Sequence, residues 1–433
     1  MHTNELFTPK AVYDESLYCR GIYPAARGAN DVFVKREDPE KSDKYAIVLP
    51  LRFCSVYVIR FPEKTSALRA AVVQGDPREL PIGGSAAGVR DDKLPYLEGT
   101  PDAWEDFMHI CNKENEYLVL YTGGEEKTAV SISEHPVLLG HDTEDDWYHP
   151  PMTGDLMGNA DSWGKWDWTS DEVFAHIYEP LREAYPTYIT RRYIGKEQAG
   201  IYDMWAYILE PADYEQTLFI TGGLHASEMD GYLGLARFME LLCKEDGSHM
   251  GLHYLRTKVR IILIPIVNVW GASVTHKREN STGMDLNRDY ELHTQAETVN
   301  VLWLLHQYKN EVSALIDCHT SQSTYLDLYY QFSIQAPNAP ICLKVTNHVY
   351  EDLKKRGYAN PPDIHMIPGA YNKSDKYLQG FAWNHMGIPT LVIEHEHLRY
   401  GPMHSAHNLQ LAAEYYGNFI IQTALAKLKM REK

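Results

Sequence analysis

The chain has 433 residues, of which 41 are basic and 59 acidic, so its formal charge is −18. Because an acidic surface repels phosphate backbones and anionic lipid, this charge disfavours binding to nucleic acid or to a membrane surface. With 44% hydrophobic and 23% charged residues, the composition is that of an ordinary soluble globular protein, and the length favours two domains.

The six cysteines are scattered along the chain without CxxC spacing. This usage is typical of reduced, buried thiols and not of a disulfide scaffold or a thiolate zinc site. The first residues show no basic segment followed by an apolar core, and no run of about 18 apolar residues suggests a membrane span. We therefore expect a cytoplasmic protein, and the sequence makes no prediction of its oligomeric state.

Residues 1–140 are predicted to form a small β-rich domain of unknown role. Runs rich in β-branched and aromatic residues predict strands, and clusters of Gly, Pro and Asp separate them. These runs cover 45–53, 54–61, 116–121 and 128–133. No catalytic pattern occurs in this region, so a supporting or binding module is favoured.

Residues 141–169 are predicted to be a connector in which tryptophans lie among Gly, Pro and Asp. The tryptophans are Trp147, Trp163, Trp166 and Trp168. Stacking against carbohydrate is one interpretation of such a segment. Packing of the aromatic rings between two domains is favoured over it.

From about residue 170, strands and helices alternate. Apolar runs at 217–224, 260–269, 313–319 and 389–396 predict buried strands, and apolar residues at helical spacing predict helices at 171–185, 230–245 and 295–310. This alternation predicts an α/β domain over 170–433, with a mixed, mostly parallel central sheet flanked by helices. Functional sites in such sheets gather at the carboxyl ends of the strands.

The motif HxxE occurs six times, so it means little by itself. The copies begin at His2, His141, His176, His225, His276 and His348. Only His225 directly follows a predicted buried strand, through Gly222 and Gly223, and leads into a predicted helix. Glu228 lies about one helical turn further on, so both side chains can face one point. An imidazole and a carboxylate at this spacing suit a zinc ion.

His319 is the natural third ligand, because it ends the predicted strand 313–319 and would reach the same edge of the sheet. Two nitrogen ligands, one carboxylate and an open fourth position describe a catalytic zinc site. Spacing alone leaves open that the three are unrelated polar residues at the ends of strands.

A cationic segment follows the next predicted strand and contains Lys277, Arg278, Asp285, Asn287 and Arg288. It could be a solvated loop. A guanidinium group beside an amide is also how a protein binds a carboxylate, so the acidic net charge does not exclude a small anionic substrate. Asp285 could accept the free N–H of a ligand histidine.

The last predicted strand ends with two glutamates, Glu394 and Glu396. A carboxylate close to a metal site is a plausible general base. Strand alternation places both glutamates on one face and His395 and His397 on the other, so the pattern does not decide between the glutamates. Glu394 is preferred because it lies closer to the core of the strand.

Together these residues resemble the zinc carboxypeptidase A-type metallopeptidase family over about residues 170–433. The matching motifs, in order, are HASE (225–228), Arg278, DLNR (285–288), CHT (318–320), a tyrosine and IEH (393–395). The resemblance implies a zinc carboxypeptidase-like catalytic domain with one zinc ion per chain. It also implies that His225, Glu228 and His319 are the metal ligands.

The resemblance further assigns roles around the metal. Arg278 would stabilise the oxyanion, and Asn287 with Arg288 would bind the terminal carboxylate of the substrate. Glu394 would activate the zinc-bound water and then protonate the leaving amine. The tyrosine that closes over the substrate would be Tyr371, with Tyr377 as the second choice. The segment GKEQAG (195–200) departs from relatives, which often carry a serine and an arginine after the glycine.

These inferences predict a metallocarboxypeptidase whose partner is a peptide or small amide with a free carboxylate. The nearest alternative is a zinc-dependent deacylase of N-acyl amino acids that resembles the aspartoacylase and succinylglutamate desuccinylase group, since LIDCHT and MDLNRDY also fit that group. A third interpretation is a non-catalytic binding protein on a peptidase scaffold.

Overall fold

The structure is a computed structural model, and its described residues fall into two compact units, Met1–Leu139 and Gly140–Lys433. The described residues are 10–11, 18–20, 22–24, 32–35, 45–51, 55–60, 69–81, 85–89, 107–111, 115–121, 131–136, 147–150, 168–321, 328–332, 364–368, 374–396 and 406–426.

The first unit is built from antiparallel strands, as the sequence predicts for this region. The strands are β1 (Lys10–Ala11), β2 (Tyr18–Arg20), β3 (Ile22–Pro24), β4 (Val32–Lys35), β5 (Tyr45–Pro50), β6 (Ser55–Arg60), β7 (Arg69–Gln74), β8 (Ser85–Val89), β9 (Phe107–Cys111), β10 (Glu116–Tyr121) and β11 (Ser131–Pro136). They form one sheet in the order β1-β11-β6-β9 and another in the order β2-β5-β10-β7-β8-β4-β3. The strand expected at 128–133 is β11, which begins three residues later.

The second unit is organised around one mixed sheet. Its strands are β12 (Ile189–Lys196), β13 (Asp203–Leu209), β14 (Gln216–Gly222), β15 (Val259–Ile264), β16 (Val312–Ser321), β17 (Leu328–Phe332), β18 (Ile364–Pro368) and β19 (Thr390–Glu396). Their order is β12-β13-β15-β14-β16-β19-β17-β18. Every residue of β15 is buried, which is typical of a strand covered on both faces.

Helices pack on this sheet and connect its strands. They are α1 (Ser170–Val173), α2 (Glu179–Ala184), α3 (Met229–Cys243), α4 (Met250–Lys258), α5 (Val269–Val274), α6 (Ala296–Tyr308), α7 (Leu378–Phe381) and α8 (Ala406–Ala426). A π-helical turn, Phe174–Tyr178, joins α1 to α2, so the helix expected at 171–185 is not regular throughout. Among the described residues, no helix is long and apolar enough to cross a membrane.

Four neighbouring strands of the second unit run parallel, and this arrangement confirms the predicted mixed sheet. β14 pairs in parallel with β15 and β16, and β16 pairs in parallel with β19. In this register Gly222 lies opposite Cys318, and His319 lies opposite Glu394. The carboxyl ends of β14, β16 and β19 therefore meet at one edge of the sheet.

One predicted strand is shorter than expected. The apolar run 260–269 was predicted as a single strand, but β15 ends at Ile264. Pro265 has no N–H to continue the ladder of hydrogen bonds. Asn268 then caps α5, because its side chain accepts a hydrogen bond from the backbone N–H of Gly271 at 2.9 Å. The apolar pattern continues across a change from strand to helix.

The first described residues of the predicted connector are bound to α8 inside the second unit. Trp147 is buried and its indole Nε1 donates to Glu414 at 3.2 Å, while the N–H of Tyr148 donates to Asn418 at 2.9 Å. Trp163 and Trp166 lie outside the described residues. Packing of these tryptophans between two domains stays a prediction.

Candidate active site

Gly222, the last residue of β14, and Gly223 connect the strand to the segment that contains His225. Gly223 has a φ of +56°, a conformation that side chains rarely adopt. A Cβ atom there would lie 3.1 Å from the Cα of Ile266 and from a ring carbon of Tyr232. The chain can therefore turn tightly at the end of the strand, and it places His225 and Glu228 immediately before α3.

His225, Glu228 and His319 form the candidate metal centre. All three side chains are buried, and their possible ligand atoms lie within 4.8 Å of one another. One oxygen of Glu228 is 2.7 Å from Nδ1 of His225, and the other is 2.9 Å from Nδ1 of His319. Among the described residues, this is the only group of three or more His, Cys, Asp or Glu side chains with that geometry. Of the three HxxE motifs whose histidines the structure describes, at His176, His225 and His276, only the one at His225 belongs to such a group.

The outer nitrogen of each histidine faces an aspartate. Nε2 of His225 is 3.1 Å from Asp285, as the sequence suggested, and Nε2 of His319 is 2.9 Å from Asp317. A carboxylate only accepts hydrogen bonds, so each Nε2–H donates to its aspartate, and with a metal ion bound the Nδ1 lone pair of each ring would point inward to that ion.

These inward lone pairs and the Glu228 carboxylate form a donor set that fits a cation. Two imidazole nitrogens and a carboxylate are ligands that zinc prefers. The aspartates add negative charge: burial disfavours protonated His319, yet Asp317 and Glu228 raise its pKa well above the ordinary value. The residues present therefore suit the divalent ion that the sequence predicts.

Sequence reasoning did not single out Asp317. The signal was available, because side chains two residues apart on a strand lie on the same face. An aspartate two residues before a ligand histidine at the end of a strand can therefore support that histidine from behind.

The cationic segment lies beside the metal centre and is organised by Asp285. Nε of Arg278 donates to Asp285 at 2.9 Å, and Nη1 of Arg288 is 3.8 Å from the same carboxylate. Nη1 of Arg278 is also 3.6 Å from Glu228. Burial opposes the charged form of Asp285, but the hydrogen bond from His225 and the charge of Arg278 hold its pKa well below the ordinary value. Asp285 thus connects a metal-centre histidine to the two arginines.

Both arginines keep part of their guanidinium groups open to solvent. The side chain of Arg278 is 41% exposed and that of Arg288 is 43% exposed. Arg288 also lies over the ring of Tyr377, with Cζ 4.7 Å from the ring centroid. Such a contact between a cation and an aromatic face is attractive. Tyr371, the preferred closing tyrosine, lies outside the described residues.

Asn287 precedes Arg288 in a short 3₁₀ helix, Leu286–Arg288. Its backbone N–H donates to Asp285 at 2.9 Å, and its side chain is buried. The side-chain oxygen has no hydrogen-bond partner among the described residues. Asp285 therefore contacts both the backbone of Asn287 and the side chain of Arg288.

Glu394 lies at the end of β19, opposite His319 across the strand pair, and is partly exposed. Burial raises the pKa of its carboxyl group to about 7; the charge of His319 opposes this increase and that of Glu228 adds to it. Glu394 therefore interacts electrostatically with the metal-centre residues. Glu396 lies opposite Ser321, two residues further along, and its side chain is outside the described residues.

Comparison with known proteins places the second unit in a family. The model of the zinc carboxypeptidase family (peptidase M14) matches residues 176–394, just over half of the 433 residues. The chain belongs to the zinc carboxypeptidase family. The matched range contains the three metal-centre residues, the cationic segment and Glu394. No curated protein matches the sequence significantly.

Solved structures of carboxypeptidases resemble the chain at low sequence identity. A carboxypeptidase A from Helicoverpa armigera is 14% identical, covers 75% of this chain and 90% of its own, and has a TM-score of 0.50. A metallo-carboxypeptidase from Burkholderia cenocepacia is 10% identical, with coverages of 98% and 96% and a TM-score of 0.46. At these identities the likeness concerns the fold alone.

Proposed function

We propose that the protein is a zinc-dependent metallocarboxypeptidase that hydrolyses the C-terminal peptide bond of peptides. The observation that carries the proposal is the position of Arg288. This partly exposed guanidinium group is tied through Asp285 to His225 of the candidate metal centre. A cation site beside an arginine that can bind a carboxylate suits a substrate cleaved next to its free terminus.

The family and the donor set support one zinc ion per chain, held by His225, Glu228 and His319. Zinc would supply a Lewis acid that polarises the scissile carbonyl and lowers the pKa of water. Asp285 and Asp317 would keep the two imidazole rings oriented.

Glu394 is the proposed general base and acid. It would accept a proton from the attacking water and donate that proton to the nitrogen of the leaving amine. A carboxyl group whose pKa lies near 7 can do both at neutral pH. Burial of this carboxyl group is therefore part of the proposed mechanism.

Arg278 is the proposed partner of the negative charge that develops on the carbonyl oxygen. Its guanidinium group lies within 3.6 Å of Glu228, so it borders the metal centre. Loss of a preorganised donor of this kind typically costs on the order of 3 kcal/mol of transition-state stabilisation. Asp285 holds Arg278 in place through its Nε, while the arginine side chain stays 41% exposed.

Arg288 and Asn287 would bind the terminal carboxylate of the substrate, and Tyr371 would close over it. An internal peptide bond offers no carboxylate to pair with Arg288, which accounts for action at the chain end. Tyr377 lies under Arg288 and would hold this arginine. Its described contact therefore favours a supporting role over a closing one.

Substitution of Arg288 tests the assignment of the carboxylate site. We expect Arg288→Ala to reduce kcat/KM strongly for a peptide with a free C-terminus and only slightly for the same peptide with an amidated C-terminus. Lys277→Ala is a matched control, because it removes a neighbouring exposed cation of the same segment. Equal losses on the two peptides would remove Arg288 from the carboxylate site.

An assay of substrate preference distinguishes the deacylase alternative from the carboxypeptidase. Purified protein is assayed against acetyl-aspartate, succinyl-glutamate and blocked dipeptides with a free carboxylate. Hydrolysis of the dipeptides supports the carboxypeptidase. Turnover of the acyl amino acids alone would replace it with a deacylase that uses the same metal centre.

A further inference from the structure

On the side away from the metal centre, His319 is hydrogen-bonded to Asp317, which is in turn hydrogen-bonded to Thr221. The hydroxyl of Thr221 donates to one oxygen of Asp317 at 2.7 Å, and Nε2 of His319 donates to the other at 2.9 Å. Thr221 and Asp317 are fully buried. Each oxygen of this carboxylate therefore has its own partner, which fixes the orientation of the group.

The sheet itself places these side chains. Thr221 and Asp317 are directly paired residues of the parallel strands β14 and β16. Asp317 and His319 are two residues apart on β16 and so lie on the same face. The chain Thr221–Asp317–His319 is built from the backbone register of two central strands, without help from a loop.

His225 is supported by Asp285, which differs from Asp317 in its position and in its other contacts. Asp285 belongs to the loop that carries the arginines, and its side chain is 21% exposed. It accepts hydrogen bonds from Arg278 and from the N–H of Asn287, besides its contact with His225. Asp285 thus serves the proposed substrate-binding residues as well as a ligand. Among the described residues, Asp317 contacts no such group through its carboxylate.

We propose that Asp317, oriented by Thr221, is a positioning residue dedicated to His319. Asp317 accepts a hydrogen bond from Nε2–H, which fixes the tautomer and points the Nδ1 lone pair of His319 into the metal centre. The proposal rests on the proposed function only through the metal. It makes no use of the peptide substrate.

Metal affinity tests this proposal directly. Zinc dissociation constants are measured by competition with a chromophoric chelator for the unmodified protein, Asp317→Asn and Thr221→Val. Loss of an outer-shell partner of a ligand histidine typically weakens metal binding by about 10- to 100-fold, and we expect Asp317→Asn to fall in this range. Thr221→Val should weaken binding in the same direction by a smaller factor, because the carboxylate remains.

Thr217→Val is the matched control for Thr221→Val. Thr217 lies four residues earlier on the same strand and face, is equally buried, and its hydroxyl accepts from Arg260 at 3.1 Å. This control removes the same buried hydroxyl at the far end of the strand. Its zinc affinity should equal that of the unmodified protein.

Cobalt supplies a second readout that a merely structural role would not change. The visible absorption of bound Co²⁺ reports ligand geometry, and we expect its bands to shift in Asp317→Asn and Thr221→Val but not in Thr217→Val. Thermal unfolding identifies any variant that has lost its fold. Thr221→Val keeps the test decisive if Asp317→Asn does not fold.

Unchanged zinc affinity and cobalt spectra in folded Asp317→Asn and Thr221→Val would overturn the proposal. Equal weakening in Thr221→Val and Thr217→Val would also overturn it, because the effect would then be general to buried hydroxyls of the strand. These measurements need no peptide hydrolysis. Absence of peptidase activity in the unmodified protein would therefore count against the proposed function alone.

Discussion

The two histidines of the candidate metal centre each have one ring nitrogen facing the centre and the other facing an aspartate outside it. His225 and His319 turn Nδ1 inward, and their outer nitrogens are held by Asp285 and Asp317. Glu228 is surrounded by these imidazoles; although burial disfavours its charged form, they keep its pKa below the ordinary value. A site in which each ligand is oriented by a further contact needs little reorganisation when it binds an ion.

Glu394 is the residue on which catalysis depends most directly. We expect Glu394→Gln to lower kcat on the order of 10²- to 10⁴-fold, because an amide cannot take up the proton of water. Zinc content should be retained, since Glu394 is not one of the three metal-centre residues. Glu396→Gln, two residues along the same strand, is the control. If Glu394→Gln stays active and Glu396→Gln does not, the base is misassigned.

The pH dependence of turnover follows from the same carboxyl group. Burial raises the pKa of Glu394 to about 7, and the positive charge of a bound zinc ion would lower it. The base acts when deprotonated, so kcat/KM should fall as the pH drops through a midpoint at or below about 7. Zinc content measured at each pH separates this titration from loss of metal. A rate that is constant across this range would contradict the assignment.

The parallel strands β14, β16 and β19 place the site residues at one edge of the sheet. Helix α8 contacts the carboxyl ends of two of these strands. The hydroxyl of Tyr416 donates to the backbone oxygen of His319 at 2.6 Å, and the hydroxyl of Tyr415 donates to that of Glu394 at 3.3 Å. Two consecutive tyrosines of one helix thus bind the carboxyl ends of β16 and β19. The helix fixes the spacing between a metal-centre residue and the proposed base.

Removal of the Tyr416 hydroxyl tests this anchor. Tyr416→Phe should lower the free energy of unfolding by about 1 to 3 kcal/mol, because a buried backbone oxygen loses its donor. It should also reduce kcat by shifting His319. Tyr178→Phe is the control, since the buried hydroxyl of Tyr178 has no hydrogen-bond partner among the described residues. Equal urea unfolding curves for the two variants would argue against the anchor.

At the scale of the molecule, the sequence predicts the layers better than their connections. Apolar runs and helical periodicity locate β14, β16, β19 and α3, because these patterns are local. The order of strands in the sheet, the end of β15 at Ile264 and the contact of α8 with two strand ends depend on packing between distant segments. The cytoplasmic location and the role of residues 1–140 stay predictions.

In the candidate site too, residues in local motifs can be predicted from the sequence, and contacts between distant segments cannot. His225, Glu228, His319 and Asp285 can be recognised because each lies in a motif at the end of a strand or in the loop beside it. The alternation of the strand also places Asp317 on the face of His319, but its pairing with Thr221 on another strand depends on the register of the sheet, which no local pattern predicts. The contact between Arg288 and Tyr377 joins segments almost 90 positions apart, which no local pattern predicts.

The central claim is that one bound zinc ion enables this chain to release the last residue of a peptide. Protein stripped of metal with a chelator is titrated with zinc, and release of the C-terminal amino acid from a blocked dipeptide is followed. The expected activity is absent without metal, rises in proportion to added zinc and becomes constant at one equivalent per chain. Full activity in the stripped protein, or no hydrolysis at any zinc content, would contradict the claim.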